Sequence, residues 1–215
     1  MTHPLPVLEA DPQTPLAPVD PSLGTDALRS ILEQHRAGDA QAFAKLVTQL
    51  SRPIYGYLAR TGIPAAERDD LFQEVFLKVH RAPNPPQGPV RAWVLRITVN
   101  TVRDYFRRTK VRSIVQPPPS ATATAETTAQ ATDPAADETL RAKETAAFLE
   151  RQIQALPLVQ REALVLASVQ GLGVHGAAAV IDEPVETIKT RLRRARAQLA
   201  MAMKRRELAA PKESA

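Results

Sequence analysis

Residues 184–203 read PVETIKTRLRRARAQLAMAM, and the fold class turns on this stretch. At 3.6 residues per turn, Ile188, Leu192, Ala195, Leu199 and Met203 fall along one apolar stripe. The opposite face carries Thr187, Lys189, Thr190, Arg191, Arg193, Arg194 and Arg196, with Glu186 as an early acid. Pro184 suits a first helical turn, where a missing N–H costs nothing, and Glu186 there favours the helix dipole. An Ala-rich segment, Val174–Ile181, and a short turn, Asp182–Glu183, come just before. Helix, tight turn and basic helix is the order in which a helix-turn-helix offers side chains to the DNA major groove. A solvated, Arg-rich surface helix has the same pattern, so the rest of the chain must decide.

Composition narrows the choice. The 215 residues include 4% aromatics, 8 glycines and no cysteine, which favours helices and excludes disulfides and thiolate metal sites. Four scattered histidines form no ligand cluster, and there is no Ser/His/Asp set and no phosphate loop. Neither metal, cofactor nor catalysis is expected. MTHPLPVLEADPQ lacks the basic and apolar regions of a signal peptide, and no apolar run approaches the ~20 residues of a membrane span. A soluble protein of a reducing compartment is expected. Charge is uneven: residues 41–112 hold thirteen Lys/Arg against five Asp/Glu, and residues 184–215 hold nine against three. Residues 113–140 between them hold four acids and no base. Two separated basic blocks suggest two contacts with a polyanion.

The spacing predicts an all-α chain of two small helical domains. Residues 1–24, rich in Pro and Asp, read as a disordered arm. Residues 25–112 form the first module. Thr25 is a candidate cap for a helix with Leu28, Ile31 and Leu32 inward, stopped by Gly38. Asp39 caps the next, with Phe43, Leu46, Val47 and Leu50 inward. Pro53 implies a kink or restart near Ser51, after which Ile54, Tyr57 and Leu58 resume the stripe until Gly62–Pro64. In residues 67–81, Leu71, Phe72, Val75, Phe76 and Val79 are core. Asp70, Gln73, Glu74 and Leu77 share another side, either a plain surface or a dock for a basic helix. Residues 81–89 (RAPNPPQGP) are a stiff loop.

In residues 90–108, Val90, Trp93, Val94, Ile97, Thr101 and Tyr105 make the expected buried side. Arg96, Asn100, Arg103 and Arg107 lie within an arc of about 60°. Such a row, bordered by Trp93, suits phosphates with an amide reading a base edge, or else is a basic face kept for solubility. Residues 113–139 read as a flexible acidic linker whose ends, relaxed, sit about 30 Å apart. The second module, 140–204, opens with Phe148, Leu149, Ile153 and Leu156 on one side. Pro157 then opens a helix through Val165 and Ser168 that Gly171 and Gly173 end. Residues 205–215 are a polar tail.

These motifs resemble the extracytoplasmic-function (ECF, group IV) sigma factors of the sigma-70 family of bacterial RNA polymerase. GDAQAF at 38–43, DDLFQEVFLKVHR at 69–81 and RAWVLRITVNTVRDYFRR at 91–108 are similar to the family's region 2. LPLVQREALVLASVQGL at 156–172 and PVETIKTRLRRARAQL at 184–199 are similar to its region 4. The resemblance implies that Asp70, Gln73 and Glu74 dock on the β′ clamp helices of core polymerase and that the second module meets the β flap. It implies that Arg96, Asn100, Arg103 and Arg107 face the promoter −10 element, Asn100 helping to hold a flipped base in a pocket shared with the preceding loop. It sets Thr190, Arg193 and Arg194 on the −35 element, with Thr187, Lys189 and Arg191 as neighbouring contacts. An anti-sigma factor covering both modules and a bacterial cytoplasmic location belong to the same expectation.

The chain departs from that pattern at Gly176, at the turn Asp182–Glu183, at Glu186 and in the Pro-rich loop 82–89. Two other readings fit parts of the chain. A stand-alone helix-turn-helix regulator should dimerise on a palindrome, and no dimerisation helix is evident. A sigma-like decoy or adaptor would keep the 69–81 helix without needing the Arg rows.

Overall fold

The structure, a computed structural model, describes residues 25–83, 86, 88–115 and 134–209. The expected N-terminal arm, most of the linker and the last residues of the tail lie outside that set. The described residues form helices and no strands. Helix α1 (Thr25–Arg36) ends before Gly38, whose φ of +100° suits a residue without Cβ. The extended backbone of Asp39 lets its carboxylate accept the Gln41 N–H at 2.8 Å, which starts α2 (Ala40–Arg60).

The expected restart near Ser51 does not occur, and α2 passes through Pro53 as one helix. Proline leaves the Gln49 carbonyl without its intrahelical donor, at about 3 kcal/mol. Gln49 is exposed to water, and Leu50, Ile54 and Leu58 around it are buried. Each of those side chains contributes about 1.5–3 kcal/mol on burial, so packing wins.

Helix α3 (Ala65–Arg81) buries Leu71, Val75, Phe76 and Val79. Helix α4 (Val90–Val115) runs past Arg108, and α5 (Pro134–Ala155) begins before residue 140. The linker expected at 113–139 is therefore helical at 113–115 and at 134–139. No Pro or Gly follows Arg108 until Pro117, so α4 continues; Pro134 suits a helix start, and the Ala- and Glu-rich residues after it favour propagation. The buried side of α4 is also wider than expected. Leu95, Thr98, Val99 and Val102 are buried with Val90, Val94 and Thr101, whereas Trp93, Ile97 and Tyr105 are only half-buried. The cause is that α4 packs on α1, α2 and α3 of its own module and on a helix of the second module.

In the second module, Ile153 and Leu156 are buried as expected, but Leu149 is exposed. Phe148 lies half-buried under the Arg206 guanidinium, 5.0 Å from its ring centre. The helix expected from Pro157 is α6 (Leu158–Leu164) followed by a π-helical turn, Val165–Val169, in which the Gln170 N–H reaches the Val165 carbonyl at 2.8 Å. Helices α7 (Gly173–Ile181) and α8 (Val185–Ala209) complete it. Residues 205–209, expected in the tail, continue α8 because no breaker precedes Pro211. Buried side chains of both modules join in one cluster, so the modules abut.

Candidate nucleic-acid interface

Helix α4 turns part of its basic row toward the second module. Arg103 reaches across and grips Glu162 of α6 with two nitrogens, Nη2 to Oε2 at 2.8 Å and Nε to Oε1 at 3.0 Å. Glu162 is 0% exposed. The hydrogen bonds to that carboxylate hold the Arg103 guanidinium above its ordinary pKa, against the opposing effect of burial. Two helical turns away, Arg96 pairs with Asp182 at 2.5 Å. Asn100 between them is exposed, and Arg107 is exposed with Asp104 of its own helix at 3.0 Å. Of the four residues expected to face −10 DNA, two are thus engaged by the second module and two face water.

Further polar contacts tie the same seam. Arg91 donates to the Gln170 carbonyl at 2.9 Å and to its side-chain oxygen at 3.1 Å. Gln170 in turn donates to the Pro53 carbonyl at 2.8 Å. Arg161 donates to the Thr61 carbonyl in the first module and to the Leu156 carbonyl, at 2.8 Å, in its own. Arg60 and Glu150 pair at 3.1 Å. Burial holds Arg91 and Arg161 below the ordinary guanidinium value. Tyr57, fully enclosed beside this network, is pushed well above its usual range by burial and then by the Glu162 charge. Sequence reasoning assigns no role to Glu162, Gln170, Arg91 or Arg161. A signal for Glu162 is nevertheless present: it shares a helical face with Leu158, Val165 and Leu166, where an acid is out of place unless something pairs it.

The helix-turn-helix is built by α7, the turn and α8. Gly176 in α7 is required by space, since a Cβ there would lie 2.9 Å from the Leu172 Cβ. Asp182 closes α7 in the left-handed conformation at φ 64°, ψ 50°. Among the described residues it is the one non-glycine with positive φ, a conformation Asp tolerates better than most. Ile188, Leu192 and Ala195 are buried, which turns the basic side of α8 outward. Arg193 and Arg194 are exposed, Thr187 and Thr190 are half-buried, and Lys189 pairs with Glu186 at 2.7 Å. Arg191 differs from its neighbours: it is largely covered and bonds Glu183 at 3.0 Å. The acidic turn therefore serves two directions, Asp182 toward α4 and Glu183 toward α8.

The row on α3 lies elsewhere. Asp70 and Gln73 are exposed beside Leu77, which is 44% exposed. Glu74 is half-buried and accepts from Lys78 at 2.8 Å and from Arg108 of α4 at 3.3 Å. Burial works against its ionisation, but these two cations hold its carboxyl below the usual range. The stem of the loop before α4 is pinned to α1. Arg36 donates to the carbonyls of Ala82 and Pro83, and Arg29 to those of Pro86 and Gly88.

The comparisons with known proteins follow this division. The family described as Sigma-70 region 2 matches residues 46–112, and that described as Sigma-70, region 4 matches residues 149–199. The ECF RNA polymerase sigma factor SigM of Mycobacterium tuberculosis is 32% identical over 174 residues, which cover 79% of this chain and 81% of that one. A solved structure of CnrH in complex with the cytosolic domain of CnrY has a TM-score of 0.58 and 26% identity, covering 83% of this chain and 98% of that one. The sigma factor RpoE in complex with the anti-sigma factor NepR, from Bartonella quintana, has a TM-score of 0.59 at 19% identity, covering 77% and 98%, and shares the fold.

Proposed function

The chain belongs to the ECF group of the sigma-70 family of RNA polymerase sigma factors, and on that premise we propose how its residues divide the work of promoter recognition. Asp70, Gln73 and Glu74 dock on the β′ clamp helices of core polymerase, with the exposed Leu77 as the apolar centre of that face. Arg96, Asn100, Arg103 and Arg107 hold the −10 strand, and Asn100 contacts a flipped base, a reading its exposure between two arginines supports. Unstacking costs a few kcal/mol, which nearby positive charge and a preformed pocket offset. Arg193 and Arg194, with Thr190, read the −35 element, and Thr187 and Lys189 contact its phosphates. Arg191 is better suited to positioning α8 than to reaching DNA, because Glu183 already holds it.

The observation that carries this reading is the exposed Arg193–Arg194 pair on the outer side of α8 in a helix-turn-helix, on one chain with the exposed Asp70, Gln73 and Leu77 of α3. The protein works in the bacterial cytoplasm. An anti-sigma factor holds it in check; the similar CnrH was solved with the cytosolic domain of CnrY. The test is a pull-down with purified bacterial core polymerase, followed by run-off transcription on a promoter library. Core binding and a selected promoter set are expected. Failure to bind core sinks the assignment.

A further inference from the structure

We infer that the second module masks the −10 row of its own chain, with Glu162 as the main clasp on Arg103 and Asp182 as a lesser one on Arg96. This rests on the assignment of the α4 row to −10 DNA. Arg103 gives both Nε and Nη2 to Glu162, so a phosphate arriving there would meet a carboxylate. Arg103 cannot serve both at once. The two pairs differ in weight. Arg96 and Asp182 are substantially exposed, so their attraction is weak and screened by salt. Glu162 is fully buried, so solvent cannot readily replace Arg103 there, and that pair is the part that resists opening.

Two more observations point the same way. Glycine would satisfy the positive φ at residue 182 without strain, whereas aspartate there supplies the carboxylate that meets Arg96. Promoter elements two helical turns apart are separated by about 70 Å, while the turn of the helix-turn-helix touches α4 directly. The closed chain therefore cannot occupy both elements. Binding core polymerase must draw the modules apart, and the free chain is a poor binder of −10 single strands.

The native chain has no cysteine, so Lys45→Cys and Gln198→Cys, both at exposed positions, take a fluorophore pair without background labelling. Single-molecule energy transfer on the free full-length chain should give one narrow high-transfer population that core polymerase converts to low transfer. Glu162→Gln should broaden the free chain toward low transfer. It should also raise affinity for a fluorescein-labelled single-stranded −10 oligonucleotide by about tenfold. Asp182→Gly should raise it about twofold at low salt and not at about 0.5 M salt. A free wild-type chain with a broad, low-transfer distribution overturns the proposal. So does Glu162→Gln with wild-type transfer and affinity. Should Glu162→Gln lose helical circular dichroism, Asp182→Gly carries the test, and unchanged oligonucleotide affinity at low salt there overturns it. Core pull-down on the same samples separates the two ideas. Chains that bind core yet never close refute the clasp alone, and chains that close yet never bind core refute the promoter assignment.

Discussion

Helices α4 and α8 both set arginines opposite an apolar stripe, but Arg96 and Arg103 of α4 meet acids from the other module, whereas Arg193 and Arg194 of α8 face water. The patterns are alike along the sequence, and their surroundings are not. Helix α8 buries its stripe at Ile188, Leu192 and Ala195, and Arg193 and Arg194 on the other side stay exposed. Helix α4 lies between neighbours on several sides, and α6 and the acidic turn bring carboxylates against its row. A basic row is thus free to meet a polyanion only while no other element supplies its anion.

The strongest way to break this contrast is Arg103→Ala. It leaves Glu162 buried and unpaired, at an expected cost of about 3–5 kcal/mol in urea unfolding, reduced to the extent that the seam opens and rehydrates the acid. Adding Glu162→Gln should restore most of that stability. A cost below about 1 kcal/mol would place the α4 row on the same footing as the exposed one.

Next in size are substitutions on α8. Arg193→Ala and Arg194→Ala should leave stability within about 0.5 kcal/mol while weakening −35 duplex binding, with the salt slope falling by about one for each phosphate no longer neutralised. Arg191→Ala should do the reverse and cost about 1 kcal/mol of stability, because its partner Glu183 is half-buried. Equal effects from all three on both measurements would erase the division within α8.

The smallest effect concerns pH. His35 of α1 lies 3.1 Å from His80 of α3, and burial, then the His80 charge, holds it below its ordinary value. Arg36 also lowers it, and Asp39 opposes both. A histidine that resists protonation when folded leaves stability intact above about pH 6.5 and loses it as pH falls toward the folded value. Hydrogen exchange in α1 should therefore quicken between about pH 7.5 and 5.5 while the buried segment of α8 around Ile188 and Leu192 stays protected. Equal change in both would remove the histidine pair as the cause.

Much of the molecule is legible in its residues. Asp39 as a cap, the core face of α3 and the stripe of α8 follow from local periodicity and capping chemistry, which neighbours along the chain decide. Of the kink or restart expected at Pro53, the restart does not occur, because the local rule cannot weigh three buried side chains around one missing hydrogen bond. The helical ends of the linker escape a reading by composition, because composition does not mark where a helix stops without a breaker. Gly176 is a cost to its own helix, and only the approach of Leu172 gives it a reason.

The sequence by itself determined the helices, the apolar stripes, the separation of basic blocks and the family, because each depends on spacing within one segment. Only the tertiary structure decided which arginines are free. Glu162 lies 59 residues from Arg103, and no periodicity of either helix encodes that they meet. The attraction of two charges depends on their separation in space and on the exclusion of water, and both arise when the second module closes on α4.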